Sequence, residues 1–191
     1  MTGILLAGGK SKRMGIDKAF IDFQGSKLYE YPLNILQEFC TEVIISSSDK
    51  RFKNTGHNVI PDIIDNIGPI GGIYTCLQKI KDQKALIMSC DIPFITAEFI
   101  SFLSCISGEH DITVGVNKNN QPEPLAGIYN KRILKKIEAQ INSENYKINH
   151  LFKDLDVILI DPRSRGWDPD ELFFNVNKSS DLFEAKKKTK Y

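Results

Sequence analysis

Four apolar residues run together near the start of the chain, Ile4, Leu5, Leu6 and Ala7, and give way at once to GGKSKRMG over residues 8–15. A run this short, with no polar alternation, reads as a strand of a parallel sheet covered on both faces rather than as a helix. Such a strand already asks for helices on either side of a sheet. The stretch that follows holds three glycines and three cations in eight residues. Gly8 and Gly9 let backbone amides come close to an anion. Lys10, Lys12, Arg13 and Lys18 gather positive charge where a triphosphate would sit, Arg13 as a planar fork and Lys18 as a point charge. A Walker A loop does not fit, because its first glycine would fall on Ile4. A dinucleotide fingerprint does not fit either, since no G-x-G-x-x-G triplet follows the run.

Composition narrows the choice further. The 191 residues match one domain, enough to bury about 70% of the extended surface. Lys and Arg number 25 against 24 Asp and Glu, a net charge of +1. No global field therefore draws nucleic acid or a membrane, and any anion site must be local. Cys40, Cys76, Cys90 and Cys105 lie far apart without C-x-x-C spacing, and His57, His110 and His150 are equally scattered. That pattern favours reduced thiols and argues against zinc. The chain enters its strand pattern without a basic and apolar leader, and no segment reaches membrane-spanning length, so cytoplasmic residence is expected.

Further along, strand and helix patterns alternate. Residues 24–26 turn the chain, Leu28, Tyr31, Leu33, Leu36 and Phe39 recur at helical spacing, and EVIIS at 42–46 and NVIP at 58–61 read as strands. Asp62 and the serines at 46–48 follow strand ends, where open α/β sheets bind ligands; a turn or cap is the other reading of the serines. Residues 68–72 (GPIGG) read as a loop and helix cap. ALIMSC at 85–90 is a buried strand ending in Asp91, well placed for a divalent ion that takes one carboxylate plus phosphates and water. The alternative for Asp91 is a helix N-cap, a role Thr96 fills more naturally. Strands are expected at 111–116 and 157–160 and helices at 131–142 and near 146–152, the latter with Lys147 and His150 exposed. Residues 164–169 read as an inserted loop. Ser179 or Ser180 can cap a last helix, and residues 184–191 read as a frayed basic tail. Together these patterns predict a single three-layer α/β/α Rossmann-like domain with a mainly parallel mixed sheet.

Several segments carry a resemblance. LAGGKSKRMGIDKA at 6–19 is similar to the signature of molybdenum cofactor guanylyltransferases, within the wider family of nucleotidyltransferases that activate sugars and cofactors with nucleoside triphosphates. G-P-x-x-G at 68–72, C-D-x-P at 90–93, P-L-x-G-x-Y at 124–129 and F-x-N-x-N at 173–177 resemble further segments of it. One departure is Lys178-Ser179-Ser180, where the family has Thr-Pro-Glu.

The resemblance implies a fold of the nucleotide-diphospho-sugar transferase type over residues 1–191. About 1–110 would form a nucleotide half, about 111–183 an acceptor half with some antiparallel pairing near the C-terminal edge, and 184–191 the tail. It implies transfer of GMP from GTP to the terminal phosphate of molybdenum-molybdopterin, with Mg2+ as cofactor. Arg13, Lys18 and Asp91 would be catalytic, with Asp91 also the metal ligand. Leu6, Ala7, Gly8, Gly9, Lys18, Asp62, Gly71 and Asp91 would bind the nucleotide, and Lys147, Asn175 and Asn177 the acceptor. Molybdoenzymes or other cofactor-synthesis proteins are the implied protein partners. Cytidylyl transfer, another small nucleotidyltransferase activity and a GTP-binding relative without turnover stay open at this point.

Overall fold

In the computed structural model, which describes residues 1–8 and 18–188, the first apolar run becomes β1 (Thr2–Leu6), buried along its whole length. A small hairpin of β2 (Asp22–Phe23) and β3 (Ser26–Lys27) follows, turned through Gln24 and Gly25 at positive φ. Helix α1 (Glu30–Phe39) tolerates Pro32 because it lies in the first turn, where a missing N–H leaves no intrahelical bond unmade. The chain continues through β4 (Glu42–Ser46), β5 (Asn58–Ile60), α2 (Pro69–Lys79), β6 (Lys84–Ser89), α3 (Ala97–Ile106), β7 (Ile112–Val116), β8 (Pro122–Asn130), α4 (Leu134–Asn142), β9 (Val157–Ile160), α5 (Pro169–Leu172) and α6 (Ser179–Lys188).

Seven strands form one sheet in the order β5-β4-β1-β6-β8-β7-β9. Only β8 runs against its neighbours; every other pair is parallel. The antiparallel pairing thus lies between β6 and β7. Alternate residues of β1 serve opposite layers, as the period of a strand requires. Leu5 joins Leu33 and Leu36 of α1 and Phe99 and Leu103 of α3, while Ile4 and Leu6 join Ile70 and Ile73 of α2 and Ile137 of α4. Each fully buried large side chain of this kind stabilises by about 1.5–3 kcal/mol, which makes β1 the seam of both cores.

The register sets where the strands end. Leu6 pairs with Ser46 on one side and Ser89 on the other, and Ser46 pairs with Ile60. The exits of four parallel strands therefore end level, and main-chain bonds carry the alignment one residue further: Ala7 N donates to Ser46 O at 3.0 Å and Cys90 N to Leu6 O at 3.1 Å.

Several expectations need correction. Residues 69–72 are not loop: Pro69 opens α2, where its missing N–H costs nothing, and Gly71 and Gly72 lie in the first turn. The supposed frayed tail is helical through Lys188, because Ala185 is fully buried in a satellite cluster with Phe23, Leu28 and Val176. Neither Ser179 nor Ser180 is the cap, since both are already helical; the Asp181 carboxylate instead reaches back to accept from the amides of Asn177 and Lys178, at 2.9 and 3.0 Å. His150 is half-buried and bonded to the Asn145 side chain rather than exposed. A single helical turn, Pro162–Arg165, runs into the loop expected at 164–169, where Trp167 meets the Phe99 ring edge-on at 5.5 Å. None of the four cysteines is in a disulfide, and Cys76 and Cys90 are buried. No helix among the described residues is long and apolar enough to cross a membrane.

Candidate active site

Asp91 leaves β6 with only 4% of its surface exposed. A carboxylate that deep needs partners, because an unpaired buried charge is strongly destabilising. Oδ1 accepts from the Ser89 hydroxyl and Oδ2 from the Lys18 ammonium. The same ammonium donates to Asn177 Oδ1 at 3.0 Å. Lys18 is aimed by its neighbour: Ala19 is buried, and its carbonyl accepts from Tyr29 N at 3.1 Å, anchoring the single turn Lys18–Phe20 to the start of α1. Asn177 is held from the other side by Val176, fully buried, whose N–H donates to Asp91 O at 2.9 Å. Three segments far apart in sequence thus meet at one point on the strand-exit edge.

Beside them, the exits of β1, β4 and β5 bring a second group together. Ser46 Oγ donates to Asp62 Oδ1 at 2.6 Å, and Ile63 N donates to Thr75 Oγ1 at 2.9 Å, fixing the loop that carries Asp62 against α2. Helix α2 can approach this closely only because residue 72 is glycine. A Cβ there would stand 2.6 Å from Ser46 Oγ and 3.0 Å from Leu6 Cδ2. A Cβ on Gly8 would meet Ser46 O at 3.6 Å and Asp62 Oδ2 at 3.9 Å, so Gly8 and Asp62 are neighbours. Cys76, one turn along α2, has its thiol pushed up to about 12 by burial and by the Asp62 charge, against a hydrogen bond with Ser46. It stays protonated and is no nucleophile.

Among the expected site residues, then, Lys18, Asp91 and Asn177 touch, while Leu6, Ala7, Gly8 and Asp62 share the adjoining edge. Gly71 is explained by packing: a Cβ would come within 2.9 Å of Ile67 Cγ1 and 3.0 Å of Ile64 O. Asn175 is close in sequence but does not join them: its Oδ1 is buried with no hydrogen-bond partner among the described residues. Lys147 has an exposed side chain, its carbonyl accepts from Gln140 Nε2 at 2.9 Å, and no hydrogen bond among the described residues joins it to Lys18, Asp91 or Asn177. Gly9 and Arg13 lie outside the described residues. Sequence reasoning missed Ser89. It also did not see what the hydroxyl of Ser46 does; the spacing S-x-D at 89–91 was the available signal for the first, and for the second there was none short of the fold. Ser47 does form the expected turn, accepting from Asp49 N at 3.1 Å.

The donors at Asp91 fit a hard divalent cation. They are oxygens, and one buried carboxylate suffices for an ion that takes its other ligands from phosphates and water. Lys18 meanwhile supplies the counter-charge the carboxylate needs.

Residues 3–158 match a family profile described as MobA-like NTP transferase domain. A protein of Pelotomaculum thermopropionicum named probable molybdenum cofactor guanylyltransferase is 31% identical over 97% of this chain and 91% of its own length. One of the same name from Bacillus subtilis is 33% identical over 94% of this chain and 91% of its own. Among solved structures, molybdopterin-guanine dinucleotide biosynthesis protein A from Archaeoglobus fulgidus superposes with a TM-score of 0.81 at 24% identity, covering 100% of this chain and 99% of that one, and so shares the fold.

Proposed function

Because the chain belongs to the MobA-like NTP transferase family, we propose that it is a molybdenum cofactor guanylyltransferase, moving GMP from GTP onto the terminal phosphate of molybdenum-loaded molybdopterin. The observation that carries this reading is the meeting of Lys18, Asp91 and Asn177 at the level exits of parallel strands. A phosphate oxygen of the acceptor bonds to the α-phosphorus of GTP while the bond from that phosphorus to the α,β-bridging oxygen breaks. Diphosphate leaves with the electron pair. The acceptor is itself the nucleophile, so no side chain has to be covalently modified, and the protein works by alignment and charge neutralisation.

Nucleotidyltransferases generally use a divalent metal ion, and in this reading it is Mg2+, held by Asp91. When bound, the ion withdraws electron density from phosphorus and screens two anions from each other. Lys18 has three N–H directions; two serve Asp91 and Asn177, and the third would meet a phosphate oxygen. Arg13 and the amides of Gly8 and Gly9 would hold the departing diphosphate. Leu6, Ala7, Asp62 and Gly71 would line the nucleoside pocket, within a nucleotide half of about residues 1–110. The acceptor half, about 111–183, would contribute Lys147 and Asn175.

The test is to incubate the purified protein with Mg2+, molybdenum-loaded molybdopterin and each nucleoside triphosphate in turn, reading diphosphate release and product mass. Release with GTP and a guanine dinucleotide product are expected. Release with CTP alone, or with no triphosphate, overturns the reading.

A further inference from the structure

Strand β8 brings a carboxylate to the same edge that the sequence did not single out. Pairing of β6 with β8 ends at Met88 and Ala126. Asp91 lies three residues past that pair on one strand, and Glu123 three residues past it on the other, where β8 is paired only to β7 through Pro122 and Val116. The segment is pinned from within: the buried Tyr129 hydroxyl donates to Pro124 O at 2.6 Å. Glu123 is itself oriented by Asn117, whose Nδ2 donates to Oε1 at 2.8 Å while Asn117 Oδ1 accepts from the amides of Asn119 and Gln121. It lines a cavity of about 350 Å3 together with Asn117, Asn119, Phe173, Phe174 and Lys188. That is a volume typical of small-molecule sites. Phe174 lies two residues before Val176, whose amide bonds Asp91. Phe174 and Phe173 are therefore separated from that bonded residue by at most about 7 and about 10 Å of chain.

Burial pushes the Glu123 pKa up, with the Asn117 amide pulling the other way. No ion pair among the described residues neutralises this carboxylate, whereas Lys118 on the rim of the cavity is paired with Asp170 at 3.1 Å. A half-buried carboxylate held by a neutral amide costs stability, as binding groups commonly do. Its two oxygens suit a pair of parallel N–H donors. The 2-amino-4-oxopyrimidine edge of a pterin presents that pair, as does guanine. Guanine belongs with the other exits, beside Asp62 and Gly8.

We propose that Glu123 and the Phe173–Phe174 wall form the pterin subsite of the acceptor, the carboxylate reading the pterin's amino-oxo edge while its terminal phosphate lies toward Asp91. The proposal rests on the guanylyltransferase reading above.

Calorimetric titration of 6-hydroxymethylpterin, and of the lumazine analogue in which an oxo group replaces the 2-amino group, tests it in the wild type and in Glu123→Gln. The wild type should prefer the pterin by about tenfold or more, and the variant should bind it about tenfold to a hundredfold more weakly with GTP affinity within twofold of wild type. A wild type that binds neither compound or does not discriminate, or a variant with unchanged pterin affinity, overturns the proposal. So does a loss that falls on GTP instead, which would make guanine the ring that Glu123 reads. Guanylyl transfer is measured in parallel. Absence of transfer in the wild type removes the underlying reading, whereas normal transfer with an unchanged acceptor KM in Glu123→Gln removes the subsite alone.

Discussion

The two sides of the proposed site, one for the nucleotide and one for the acceptor, are held by different kinds of structure. On the nucleotide side, Leu6, Ser46, Ile60 and Ser89 end level because their strands are paired residue for residue within the main cores. On the acceptor side, Glu123 stands on a strand end that has lost one of its two neighbours, and beyond Phe173, which still reaches the main core, the chain is fixed by Val176 in a small satellite cluster with Phe23, Leu28 and Ala185. The difference teaches where rigidity has been placed. In the proposed function, phosphate chemistry would sit where the strands are paired on both sides, and recognition of the second substrate on segments that depend on distant side chains.

That contrast can be broken from the nucleotide side first. Asp91→Asn removes the charge that Lys18 holds and that a divalent ion would share, and diphosphate release should fall by about a thousandfold with an unchanged circular dichroism spectrum. Lys18→Ala should lower kcat/KM for GTP by about a hundredfold, read by the same release assay. Asn177→Ala sits on the acceptor strap yet touches the nucleotide side, so a loss of about tenfold is expected in kcat/KM for GTP, with a smaller change in acceptor KM. An effect confined to the acceptor would return Asn177 to the role the sequence suggested.

The smallest effect sharpens the comparison through stability. Burial raises the pKa of Glu123 in the fold above its ordinary carboxylate value, so the folded state holds that proton more tightly than the unfolded chain. Its contribution is fully present below the unfolded value and is lost as pH rises through the folded one. Glu123→Gln should therefore melt with the wild type near pH 4 and about 1–2 °C above it at pH 8. A lower melting temperature at pH 8 would mean that the carboxylate is structurally favourable there.

Much of the fold was legible because its signals are local. The unalternated run at residues 4–7, EVIIS at 42–46 and VILI at 157–160 each say strand within a few residues, and β4 and β9 begin and end where those letters do. Asp91 and Lys18 were legible as charges beside strand exits. What escaped depended on contacts distant in sequence. Gly71 and Gly72 look like loop residues until α2 is seen packed against Ile67 and Ser46. The charged tail looks frayed until Ala185 is found under Phe23. Glu123 looks like one more charge between two prolines until the pairing of β8 carries it to the edge that holds Asp91.

The claim on which the rest depends is that Lys18 and Asp91 act as one unit on the triphosphate. A double-mutant cycle on diphosphate release, with Lys18→Ala and Asp91→Asn alone and together, measures that directly. The double variant is expected to be no slower than Asp91→Asn by more than about threefold, since the two losses are shared. Losses that multiply, leaving the double variant about a hundredfold slower again, would mean that the two side chains serve separate sites.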